Sequence, residues 1–181
     1  LGQLHVNECF AASNVDTSST AAALLADQVA LGKYISEELT QYVVTALRAD
    51  FIVFSGAKAN KLDDLESIVA TGRVRTVIVA GSLAIALAMA KQPQATFGRA
   101  STDEEYVGFI DEARLRQAAR IVDACALNGI DLVLPVDFVL DNESISESVP
   151  DGHAQLDVGP ATRDRFRETV TDYVAKAQKG D

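Results

Sequence analysis

The stretch Ser55-Gly56-Ala57-Lys58 follows directly on an apolar run, FIVF at 51–54. Small residues at such a turn let backbone N–H groups come close to an anion, the start of a following helix favours negative charge, and a lysine adds a mobile cation. That is the chemistry of holding a phosphate. The same residues also make a plain tight turn with a surface lysine, and the turn alone does not choose between the two. Other reactive side chains are sparse. Cys9 and Cys125 are far apart with apolar neighbours, which reads as two packed thiols. His5 and His153 have no ligand-type neighbours at metal spacing, so no zinc site is expected. The acidic pairs and triplets, Asp63-Asp64 and Asp103-Glu104-Glu105, read as solvated helix starts and loops.

The elements that must carry the Gly56–Lys58 turn alternate along the chain. FIVFS (51–55), TVIVAG (76–81) and DLVLPVD (131–137) are continuous runs rich in β-branched and aromatic residues, the pattern of strands buried on both faces. Between them lie helices over 62–71, 83–91 and 111–128, the last with Ala113, Ala118, Val122 and Cys125 near helical spacing and Asn128-Gly129 as its stop. Strand and helix in alternation predict an α/β fold with a doubly wound parallel sheet. In such sheets ligands sit beyond the carboxyl ends of the strands, which is where Gly56, Ala57 and Lys58 fall. A final helix opens after DVGPAT, with Pro160 near its first turn and Phe166, Val170, Tyr173 and Val174 as its apolar stripe. Before Asp50 the reading is a strand over 3–10, a polar loop over 11–20, and a helix over 36–49 capped by Ser36 with Glu37 and Glu38 at its positive end. ASTDEEYVG (100–108) and LDNESISESVPDG (140–152) read as solvated acidic loops.

With 181 residues, 48% of them apolar, the chain has enough material for one ordinary core and too little for two large ones. Its longest apolar run, VRTVIVAGSLAIALAMA, is broken at Gly81-Ser82 and reads as a buried strand and a buried helix, so no membrane insertion is expected. No targeting segment is read at Leu1, and a soluble protein of the cytoplasm or an organelle matrix is expected, with the choice between them unassigned. The net charge of −10 repels phosphate backbones and anionic lipid, which argues against nucleic acid as a partner.

The order HVNECF, KYISEELTQYV, SGAKANKLDDLESI, VIVAGSLAIAL, GIDLVLPVDFVLDN, VPDGHAQLDVGPATRDRF resembles the middle of phosphoglycerate kinase, with LPVDFV and LDVGPAT the most specific pieces. The likeness spans essentially the whole chain. It implies two Rossmann-like domains facing a cleft, across which a phosphoryl group passes between 1,3-bisphosphoglycerate and Mg-ADP. On this mapping residues 1–33 are a remnant of the glycerate-binding domain, 34–49 the interdomain helix, and 50–181 an incomplete nucleotide-binding-type sheet. Gly56, Ala57, Lys58 and Gly81 match the nucleotide site, so Mg-ADP or Mg-ATP is the implied cofactor if that site survives. Asp137 matches a family position expected to organise its strand end.

Departures from the family pattern shape the functional expectation. The resemblance places histidine and arginine in the loop after the first strand, where this chain has Asn14, Val15 and Thr17 with Asp16 among them. A phosphoryl-transfer site works by positioning and charge compensation, so a loop that carries a carboxylate in place of cations should repel the substrate. The family's three glycines after the second strand become Ala80-Gly81-Ser82, and Gln155 replaces a glycine of the adenine slot. Lys61 is one residue out of register with a second phosphate-binding lysine, and on a helix one residue turns a side chain by about 100°. The chain also stops at Lys179-Gly180-Asp181, before the family's metal-binding aspartate, and starts after the half that carries its catalytic arginine. The expected function is therefore a non-catalytic structural or accessory module, with no cofactor and with other protein subunits covering its unfinished sheet edge. Two alternatives stand beside it: a fragment of an active phosphoglycerate kinase, and a regulatory module that binds nucleotide weakly.

Overall fold

The computed structural model describes residues 3–12, 18–56, 58, 60–92, 110–150 and 152–179. They fall into two compact units, Leu1–Ala49 and Asp50–Asp181.

In the first unit, strand β1 (Leu4–Asn7) pairs in parallel with β2 (Gln28–Leu31), from Leu4 opposite Gln28 to Asn7 opposite Leu31. Between them, among the described residues, are two short 3-10 turns, Phe10–Ala12 and Ala22–Leu25, and a single helical turn, α1 (Ser18–Ala21). β1 is shorter than the strand expected over 3–10, and α1 starts inside the segment read as a polar loop. β2 was not anticipated at all, because QVAL is too short to stand out from the alanines before it.

The helix expected from Ser36 begins earlier, with α2 (Lys33–Glu37), and runs through a π-helical stretch, Glu38–Val43, into α3 (Val44–Ala46). Ser36 lies inside α2 and does not cap it. The amino end at Gly32 has no cap from its own side chain. Glu8, 26 residues before Tyr34 in sequence, supplies it: its carboxylate oxygens accept from the backbone N–H of Tyr34 (3.3 Å) and Ile35 (3.2 Å). Gly32 makes room for this, since a Cβ there would overlap the Glu8 side chain. Thr40 and Thr45 donate back to the carbonyls of Ser36 (2.7 Å) and Gln41 (2.6 Å), a habit that competes with regular helical bonding.

The second unit is built on three parallel strands in the order β3 (Phe51–Ser55), β4 (Thr76–Ala80), β5 (Asp131–Val133). Consecutive parallel neighbours require crossover helices, and these are α4 (Lys61–Ala70), α5 (Ser82–Lys91) and α6 (Glu112–Leu127). Their apolar sides (Leu62, Leu65 and Val69; Leu83 and Leu87; Ala118, Ile121 and Cys125) close one core with Val77, Val79 and Leu132. Each fully buried Leu, Ile or Val there contributes about 1.5–3 kcal/mol relative to exposure. The other face carries Phe51 and Val53 with their register partners Thr76 and Ile78. The long helix α7 (Pro160–Lys179) lies over it, with the Tyr173 ring 4.5 Å from that of Phe51. Helices on both faces make the sheet doubly wound, as the alternation predicts.

Four expectations are corrected here. β3 is not buried on both faces, because Val53 is 62% exposed on the α7 side. The third strand stops at Val133 instead of Asp137: Pro135 has no N–H for a ladder, and the N–H groups of Val136 and Asp137 bond to the Thr162 hydroxyl. The segment 140–152 is not only solvated loop, since it contributes Val149 to the core and strand β7 to a second sheet. That sheet is antiparallel, in the order β7 (Ile145–Ser146), β6 (Phe138–Leu140), β8 (Gln155–Val158), with Phe138 fully buried. Finally, only Cys125 is a packed thiol; Cys9 is exposed. Asp103, Glu104 and Glu105 lie outside the described residues.

Candidate functional site

The carboxyl ends of β3 and β4 bring two of the expected site residues together. Gly81, which follows β4 and precedes α5, has φ 72° and ψ −165°. A Cβ on it would stand 2.6 Å from the carbonyl oxygen of Gly56 and 3.2 Å from its carbonyl carbon and nitrogen. Two backbones cross at contact distance, and only glycine fits at 81. Gly56 is less constrained: a Cβ there would meet Lys61 Cγ at 3.6 Å and Leu83 Cδ1 at 3.8 Å, which are ordinary contacts. Gly81 thus has a steric reason to be glycine that needs no ligand.

Lys58 is exposed, and its carbonyl accepts from the N–H of Lys61 (3.1 Å) as the chain turns into α4. Ala57, between the two, lies outside the described residues, as do Asn14, Val15, Asp16 and Thr17. Lys61 does not point its charge at an open anion site: its Nζ lies 2.8 Å from Asp64 Oδ2 in an exposed ion pair. Asn60 and Gly81, at the amino ends of α4 and α5, make no side-chain cap bond, so the first N–H groups of both helices lack that partner. Gln155 belongs to β8, opposite Leu140, and its enclosed Oε1 has no hydrogen-bond partner among the described residues. Two clefts, of about 340 and 380 Å³, open elsewhere in the unit, and neither includes Gly56, Lys58 or Gly81. The larger of these two lies at the amino ends of β3–β5, lined by Asp50, Phe51, Thr76, Asp131 and Tyr173, opposite to where such sheets hold ligands. There the Tyr173 hydroxyl donates to Asp50 (2.6 Å), and this bond to a carboxylate pushes the phenol upward.

α4, which the Lys58 turn leads into, is pinned to α6 by a polar network that sequence reasoning missed. The buried Gln117 amide donates to Asp63 (2.8 Å) and Glu66 (2.9 Å) and accepts from Arg114 (2.7 Å). Arg114 also pairs with Asp63 (2.8 Å) and Arg120 with Glu66 (2.9 Å). The Gln117 bond, then Arg114, holds the Asp63 carboxyl below its usual value; Arg120, then Gln117, does the same for Glu66. Asp63 is therefore more than a solvated helix start. The available signal was a glutamine at 117, midway between Ala113 and Ile121 on an otherwise apolar helical stripe.

Asp137 organises the end of its strand segment and the start of α7. Its carboxylate accepts from the N–H groups of Ala161 (3.0 Å) and Thr162 (2.7 Å) and from the Thr162 hydroxyl (2.6 Å). Burial pushes its pKa up, but the Thr162 and Ala161 bonds outweigh that and hold the carboxyl low. Gly159 has no Cβ because one would overlap this carboxylate. The anion at the α7 amino end is thus the protein's own.

Against known proteins, the family model described as phosphoglycerate kinase matches residues 1–177. The chain is 27% identical to the phosphoglycerate kinase of Chlorobium limicola over 184 residues, covering 94% of this chain and 43% of that one. It is 30% identical to that of Drosophila melanogaster, covering 94% and 41%. It spans less than half the length of these curated relatives. Among solved structures, the phosphoglycerate kinases of Coxiella burnetii (TM-score 0.68, 22% identity) and Pyrococcus horikoshii (TM-score 0.69, 19% identity) share its fold, each aligned over 92% of this chain and 43% of theirs. A match over 1–177 that carries the parallel β3–β5 sheet and the LPVDFV and LDVGPAT segments around Asp137 and Gly159 means that the chain belongs to the phosphoglycerate kinase family.

Proposed function

We propose that this phosphoglycerate kinase-family segment does not transfer phosphate and serves as a structural or accessory module of a larger protein assembly. One observation carries the reading: residues 11–20, AASNVDTSST, contain no lysine, arginine or histidine and do contain Asp16. A substrate bearing phosphate groups has nothing in that segment to offset its charge. The Lys61–Asp64 pair and the steric role of Gly81 point the same way on the nucleotide side, because neither residue needs a ligand to account for its place. The partner is protein: the net charge of −10 disfavours nucleic acid.

The test is calorimetric titration with Mg-ADP and with 3-phosphoglycerate, followed by a coupled phosphoryl-transfer assay on the same sample. Silence with both ligands is the expected result; binding with turnover would overturn the proposal. Coverage of only 43% of a relative's length favours a second reading, that of a fragment of an active kinase whose catalytic groups lie elsewhere in a longer polypeptide. The intact mass of the protein from its source separates the two. A mass near 19.3 kDa supports the accessory module, and one more than twice that supports the kinase. Exposed Lys58 in the turn that leads into the amino end of α4, where Asn60 makes no side-chain cap bond, is what favours a weak nucleotide-binding regulator, which would show Mg-ADP heats without turnover.

A further inference from the structure

We draw no further inference here: the strongest candidate, the apolar strip of Val53 on β3 and Val170 and Val174 on α7, is left exposed, and nothing in the structure shows what covers it.

Discussion

Replacing Gly81 by alanine tests whether this glycine serves the fold or a ligand. Its φ of 72° with ψ of −165° lies in a region that costs a residue with a side chain about 1–3 kcal/mol. The new Cβ would also press on the Gly56 carbonyl oxygen at 2.6 Å, and that neighbour is backbone at the end of a paired strand, not the free end of a side chain. Moving it adds about 1–3 kcal/mol, the usual cost of overpacking. Allowing for partial relaxation, Gly81→Ala should lose roughly 2–4 kcal/mol in the absence of any ligand. Gly56→Ala is the internal control, because its Cβ meets only contacts of 3.6 and 3.8 Å and should change stability by less than about 1 kcal/mol. The chain has no tryptophan, so urea unfolding is best followed by far-UV circular dichroism. If the two variants unfold at the same urea concentration with the same slope, the backbone crossing at 56 and 81 does not constrain the fold, and the steric argument fails.

Further tests address the caps and the α4–α6 network. Asp137→Ala removes three bonds to one carboxylate and should cost about 2–3 kcal/mol in urea unfolding. Because the folded carboxyl is held below its unfolded value, its contribution is full above the unfolded value, about 3.9, and is lost as pH falls through the folded one. The gap between wild type and Asp137→Ala should therefore narrow on acidification below about pH 4, and a gap that widens would contradict the sign. Gly159→Ala should destabilise by about 1–3 kcal/mol, and the double variant with Asp137→Ala should lose less than the sum, since the clash disappears with the carboxylate. Gln117→Leu should raise the Asp63 and Glu66 carboxyl titrations seen by NMR, as both lose a donor; unchanged titrations would remove Gln117 from the network. Glu8→Gln should weaken the amino end of α2 and lower helicity slightly, whereas Ser36→Ala should leave that end intact.

Local pattern explains most of what was legible in advance. The continuous apolar runs at 51–55 and 76–80, the helical stripes between them, and the Asn128-Gly129 stop depend on neighbours within a few residues, and the structure keeps each within a residue or so. The third strand was read too long because VLPVD continues the apolar pattern, while what ends the ladder is a proline and a hydroxyl from Thr162, 25 residues beyond Asp137. The cap of α2 was misplaced for a similar reason. Ser36 is the best local candidate by residue type, and Glu8 reaches the helix end only because β1 delivers it there.

The candidate site divides along the same line. Residue types alone carry the proposal that phosphate chemistry is poorly served: the absence of lysine, arginine and histidine from 11–20 is readable as composition, and the resemblance implies a lysine out of register at 61 and a glutamine for glycine at 155. Tertiary structure alone decided what fixes Gly81, Gly159 and Asp63 in place. Gly81 is held by the approach of another strand's backbone, Gly159 by the Asp137 carboxylate, and Asp63 by a glutamine 54 residues away. Each is a contact between segments distant in sequence, where packing and hydrogen bonding act through space and leave no periodic trace along the chain.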